Sequence, residues 1–198
     1  MNNGTSNSIV LGLTLARNSI DNPLYTRRGS SFSLNFQMTP PASLLNPGKN
    51  WEKLYKDNST EAKEQLYHWI EYWKLKFKSR TYTPLTDPYG KWTLVFMTRA
   101  DIGLLGSYNK WLKSPFETFY VGGDGMTGSY TYATETIGMR GYDNGQFTPW
   151  GKEGYAYTRF GMELHFPFML QPTTTIYGLA FAEGGNAWTS VKDFSPFN

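Results

Sequence analysis

The stretch Ser31-Phe32-Ser33-Leu34-Asn35-Phe36-Gln37-Met38 decides the fold. Phe32, Leu34, Phe36 and Met38 fall on one side of an extended chain, and Ser31, Ser33, Asn35 and Gln37 on the other. Strict alternation is the signature of a strand with one apolar and one polar face, whereas a helix would spread the same residues around its axis. Five further segments carry the same period. Ile9, Leu11, Leu13 and Leu15 oppose Val10, Gly12, Thr14 and Ala16. Between Gln65 and Leu85, Trp73, Leu75 and Phe77 alternate with Tyr72, Lys74, Lys76, Lys78 and Arg80. A fourth strand is expected from Lys91, with Trp92, Leu94 and Phe96 facing one way and Thr93, Arg99 and Asp101 the other. Phe160, Met162, Leu164, Phe166 and Phe168 oppose Tyr157, Arg159, Gly161, Glu163 and His165. Thr173 to Trp188 is apolar on almost both faces. Glu61 to Lys78 also admits a helical reading; a short helix up to about Gln65, with strand beyond it, avoids scattering the lysines around a helix.

The connections differ in length. Asn18 to Arg28, Thr86 to Gly90 and Met169 to Pro172 are short, while Thr39 to Glu64 and Gly106 to Lys152 are long. Short turns at one rim and long loops at the other are the pattern of an outer-membrane barrel. Alternation alone fits a soluble sheet equally well, with its charges in water. Composition favours the barrel: aromatics make up 17% of the 198 residues, with 14 Tyr, 13 Phe and 7 Trp. Membrane barrels concentrate such residues in girdles at their interfaces. No apolar run is long enough for a transmembrane helix, a test that half-apolar barrel strands evade. A charge facing lipid at mid-membrane costs about 2–4 kcal/mol. Lys74, Lys76, Lys78, Arg99, Arg159 and Glu163 are therefore expected to face the lumen, and the Phe and Leu rows the lipid.

Other classes find little support. A net charge of +3, with the basic residues dispersed, argues against nucleic acid. Without cysteine there is no disulfide framework, thiolate metal site or cysteine nucleophile. His68 and His165 are the only histidines, and neither suggests a metal or catalytic site. No cofactor and no catalysis are expected. Asn2 to Ser8 has neither the basic start nor the apolar core of a signal peptide, so an exported protein would be represented here by a fragment.

One motif remains to be placed. Met139-Arg140-Gly141-Tyr142 lies in the long Gly-rich segment 106–152 and reads as a loop tip that presents a fixed cation. At these residues the chain resembles the C-terminal barrel of the BamA family of insertases, within the bacterial surface antigen superfamily. The resemblance spans nearly the whole chain. Asp21-Asn22-Pro23-Leu24-Tyr25-Thr26-Arg27-Arg28-Gly29-Ser30 resembles a periplasmic turn and strand start. Pro115-Phe116-Glu117, with Phe119-Tyr120 and Gly122-Gly123, resembles the approach to the family's sixth extracellular loop. Met139-Arg140-Gly141-Tyr142 matches that loop's tip, and Glu183-Gly184-Gly185-Asn186-Ala187-Trp188 the acidic end of the following hairpin.

The resemblance implies an all-β, antiparallel transmembrane barrel of sixteen strands. Residues 1–198 would supply about six of them, strands eight to thirteen, as a partial barrel domain. It also implies that the loop folds into the lumen and that Arg140 pairs with wall carboxylates at the matching positions, Glu163 and Glu183. Glu163 has lumenal parity. Glu183 shares parity with Tyr177, Leu179 and Phe181, otherwise expected to face lipid, so either a bulge near Gly184-Gly185 shifts the phase or that strand is apolar on both sides. The insert Asp124 to Met139 is longer than in the shortest family members, and its segment 130–137 could form a small hairpin. The implied function is folding and inserting other barrels into the bacterial outer membrane, with unfolded outer-membrane proteins, assembly-complex lipoproteins and outer-membrane lipid as partners. A passive or secretion pore of the same superfamily and a soluble aromatic-rich carbohydrate-binding β-domain are the alternatives.

Overall fold

The structure is a computed structural model and describes residues 6–57, 59–114, 116–125, 134–148, 154–171 and 173–196. Six antiparallel strands form one sheet: β1 (Leu11–Asn18), β2 (Gly29–Met38), β3 (Trp73–Pro84), β4 (Val95–Gly106), β7 (Ala156–Leu170) and β8 (Thr175–Trp188), in that spatial order. Two short strands, β5 (Thr118–Val121) and β6 (Thr134–Ile137), pair in parallel beside it. The large sheet is an open wall whose edges are β1 and β8. Among the described residues no helix is long and apolar enough to cross a membrane.

Register converts the alternation into two faces. Asn35, Lys76, Gly103 and Tyr157 lie in one cross-strand row, and Leu34, Phe77, Ile102 and Thr158 in the next. Directly paired residues share a face, so the wall lysines, Arg99, Asp101, Arg159 and Glu163 stand on one side. Leu34, Phe36, Leu75, Phe77, Phe160 and Met162 stand on the other. Many outward side chains are exposed, Leu13 at 60% and Met162 at 56%, as a lipid-facing surface requires.

β8 settles its own phase. Glu183 pairs with Gly161, Phe181 with Glu163 and Leu179 with His165 in unbroken register. The irregularity in this hairpin lies between Pro167 and Met169, not at Gly184-Gly185. Tyr177, Leu179 and Phe181 therefore share the lumenal side with Glu183: of the two readings, the strand apolar on both sides holds, and the lipid facing that hydrophobicity alone suggested for these three does not. Aromatic neighbours make the site acceptable to them: Tyr177 stacks edge-on against Tyr25, 5.4 Å between centroids, and lies 5.8 Å from His165.

Two strand starts also differ from the periodicity. Residues 60–67 form a helix, α3 (Thr60–Tyr67), after α1 (Ala42–Leu45) and α2 (Trp51–Lys56) in the same long loop. The Ser59 hydroxyl caps α3 by accepting from the Ala62 N–H, and Ala62 and Leu66 are buried at helical spacing. The strand begins only at Trp73, where the lysine alternation takes over. β4 starts at Val95, not Lys91. The Thr93 hydroxyl donates to the Asp87 and Gly90 carbonyls, and the Thr86 hydroxyl to the Trp92 carbonyl. These local bonds hold residues 91–94 in a wider turn.

Spin labels at Phe181 and Ala182 test the two faces of β8 in the membrane-inserted protein. Ala182 should be quenched by lipid-soluble relaxants. Phe181, despite its hydrophobic parent side chain, should be shielded from lipid. Lipid contact at Phe181 would contradict the register.

Candidate functional site

The long segment after β4 returns across the lumenal face. Thr118, Phe119, Tyr120 and Val121 pair with residues 134–137, and the chain crosses back where the Met139 N–H donates to the Gly123 carbonyl at 2.8 Å. Residues 134–137 thus bond to β5; residues 126–133, and with them most of the hairpin suggested for 130–137, lie outside the described residues. Phe119, Val121, Ile137 and Met139 from the loop and Tyr72, Leu105, Tyr157 and Ala187 from the wall form one buried cluster. Burying a side chain of the Val, Ile, Met or Phe type contributes about 1.5–3 kcal/mol. Four loop residues of this kind dock the loop more strongly than one ion pair could.

Beyond this cluster the contacts become ionic. The Arg140 Nε and Nη2 donate to Glu183 Oε1 at 3.0 and 2.6 Å, and its backbone N–H donates to Glu183 Oε2 at 2.8 Å. Nη2 also contacts Glu163 Oε1. The guanidinium carbon lies 4.1 Å from the centroid of the Phe181 ring, a cation–π contact on the face opened by the phase of β8. The Glu183 side chain is 1% exposed, Glu163 8% and Arg140 38%. Glu183 also receives Arg99 Nη1 at 3.4 Å, and Glu163 Oε2 lies 2.8 Å from His165 Nε2.

Further links lay beyond the sequence. Arg159 bonds Asp101 through Nε at 2.9 Å and through Nη2, while its Nη1 donates to the Gly138 carbonyl. A wall arginine thereby holds the backbone two residues before Arg140. Lys74 bridges Glu117 at 2.9 Å and Glu135 at 3.1 Å, and Lys76 bridges Glu135 at 3.1 Å. Parity placed the lysines, but only the return path of the loop supplies their carboxylates. Burial opposes the charged form of Glu135, yet Lys74 and Lys76 outweigh it and hold its carboxyl below the usual 4.5.

The remaining motif residues are spread along the loop. Glu117 meets Lys74, while Phe116 makes its backbone contact with the Ser114 hydroxyl. Pro115 lies outside the described residues. Gly141 takes φ +87°, a conformation rarely adopted by side-chain-bearing residues, with open space where a Cβ would stand. The Tyr142 ring packs on Phe147, centroids 4.6 Å apart. Among the described residues no group of acidic, histidine or cysteine side chains could hold a metal ion.

The match to known proteins covers this whole arrangement. An Omp85 superfamily domain matches residues 1–198. The chain belongs to the Omp85 superfamily. Its fold is similar to that of BamA from Haemophilus ducreyi lacking POTRA domains 1–3, with a TM-score of 0.61 and 18% identity over 92% of this chain. The chain spans 30% of the length of that BamA chain. No curated protein matches it. Family and fold make this a β-barrel protein of the bacterial outer membrane. The Omp85 match also removes the soluble carbohydrate-binding alternative.

Gly184 and Gly185 offer a paired test of loop docking. A Cβ on Gly185 would stand 2.1 Å from the Thr158 carbonyl oxygen and 2.8 Å from Met139 Cε, whereas one on Gly184 meets nothing within 4 Å. Gly185→Ala should cost about 1–3 kcal/mol as overpacking and expose the loop to protease; Gly184→Ala should leave protection unchanged.

Acid should act through Glu135. Its depressed pKa gives stability that is present above the unfolded value and lost as pH falls through the folded value. Protection of the segment 134–137 should persist at pH 5 and decline below its ordinary value of 4.5. Glu135→Gln should flatten that decline, measured by pulsed proteolysis across pH.

Proposed function

We propose that this chain is the loop-bearing wall of an outer-membrane insertase, a non-enzymatic machine that folds other barrel proteins into the membrane. The observation that carries this reading is the attachment of Arg140 to Glu183 and Glu163 through side chain and backbone together. A loop kept simply out of the way needs only the apolar docking of Phe119, Val121, Ile137 and Met139. A guanidinium fork seated on two wall carboxylates also fixes the tip's register and orientation. In this proposal the tip stiffens the wall beside the path of unfolded outer-membrane clients, and assembly lipoproteins and outer-membrane lipid are its other partners. The similarity to BamA supports the reading.

A passive or secretion pore within the superfamily is the second reading. Its selectivity would rest on lumenal lysines. Lys74 and Lys76 are instead engaged by Glu117 and Glu135, which leaves them poorly placed to attract a passing anion.

Complementation with the intact gene tests the proposal. Truncating one partner of a fully buried ion pair costs about 3–5 kcal/mol. The cost here should be smaller, because over a third of the Arg140 side chain meets water. Arg140→Ala should release residues 140–148 to protease, keep Thr118–Val121 protected, and lower the cellular level of client barrels. Arg140→Lys should rescue in part, since an ammonium cannot reproduce the fork. Lys53→Ala, on the exposed surface of α2, should have no effect. Normal client levels with Arg140→Ala would remove the basis for the insertase role of this loop.

A further inference from the structure

At the long-loop rim, the outward rows of the wall end in large aromatics. Trp73 opens β3 beside Gly106, where an added Cβ would stand 2.4 Å from the indole. Trp188 closes β8, its ring 5.0 Å from that of Phe194. Aromatic residues at strand ends on the lipid side mark the height of the membrane–water interface. Immediately beside Trp73 is a cleft of about 400 Å³, lined by Tyr108, Lys110, Lys113, Tyr155 and Lys192. Among the described residues its lining includes no carboxylate.

The tyrosine hydroxyls are engaged elsewhere, that of Tyr108 donating to the Thr39 carbonyl at 3.1 Å and that of Tyr155 to the Ser114 carbonyl at 3.3 Å. Their rings serve as walls. Lys113 Nζ lies 5.0 Å from the centre of the Tyr155 ring, and Lys110 Nζ 4.7 Å from that of Trp111. Ring contacts orient an ammonium but leave its N–H groups available. None of the three lysines forms a salt bridge among the described residues. Glu52, which interacts with Lys110 at longer range, is bonded to Lys56 at 2.6 Å.

We infer that this cleft binds the phosphate of an outer-leaflet glycolipid headgroup. Three ammoniums without a salt bridge among the described residues supply the charge, and lysine suits phosphate as a compact point charge. The interfacial tryptophan supplies the depth: an anion held beside Trp73, at the height of the membrane–water interface, belongs to a lipid. A soluble phosphate would share the same chemistry but would have no need of Trp73.

The test uses the intact protein in nanodiscs of phosphatidylcholine containing either bisphosphorylated lipid A or its dephosphorylated counterpart. Amine-reactive labelling is read by mass spectrometry. Lys110, Lys113 and Lys192 should label several-fold more slowly with the phosphorylated lipid, with Lys53 unchanged. Near an anionic surface each lysine contributes about fivefold in affinity, so K110Q/K113Q/K192Q should weaken binding of the phosphorylated lipid about a hundredfold. All three positions are exposed, so folding should be preserved, as monitored by protease protection of the lumenal loop. Equal protection by the dephosphorylated lipid would overturn the inference, because membrane coverage alone would then explain it. Protection reproduced by millimolar inorganic phosphate without the glycolipid would overturn the lipid assignment.

Discussion

Glu183 sits in the wall with almost no exposed surface, and a buried carboxylate is tolerable only when it is paired and hydrogen-bonded. Arg140 meets that requirement through three donors, one of them the backbone N–H of the loop tip itself. The backbone contact means that the wall recognises a position in the chain as well as a charge. Around this contact the neighbouring constraints fall into place. Phe181 must turn inward to lie under the guanidinium, Gly185 must lack a side chain to admit Met139, and Gly141 must turn the chain beyond the arginine.

Apolar and ionic contacts divide the work by magnitude. The cluster around Phe119 and Tyr157 provides most of the attachment, since burial scales with area and needs little angular precision. The ionic contacts are weaker net because each charge must first lose water, but they are directional. Arg159 strengthens this division. It spans from Asp101 in the wall to the Gly138 carbonyl in the loop, so the approach to Arg140 is held by a contact separate from its own fork.

The fold was legible wherever one face of a strand differs chemically from the other. Ser31 to Met38 and the lysine row of β3 are such cases, because lipid on one side and water or loop on the other act as opposite selectors. Legibility failed at β8, where the lumen next to the wall contains aromatic and aliphatic side chains. Phe181 is apolar and lumenal for a reason visible only once Arg140 lies against it. The helix over Thr60–Tyr67 and the start of β4 at Val95 escaped the two-residue period for local reasons, the Ser59 N-cap in the first and the side-chain hydrogen bonds of Thr86 and Thr93 in the second. At the site, resemblance named Arg140, Glu163 and Glu183. The contacts of Arg159 with Gly138 and of Lys74 and Lys76 with Glu117 and Glu135 depend on how a long loop returns, which spacing along the chain does not encode.

Amide hydrogen exchange at Arg140 tests the central contact most directly, because among the described residues its N–H donates to Glu183 and to no backbone carbonyl. In the intact protein this amide should exchange slowly for a glycine-flanked loop tip. Removing the acceptor with Glu183→Ala should accelerate it about 10- to 100-fold, the loss expected for a hydrogen bond to a charged group, while the Met139 amide, bonded to the Gly123 carbonyl, should change much less. Exchange at Arg140 as fast in the unaltered protein as in an exposed loop, or unaffected by Glu183→Ala, would contradict the account.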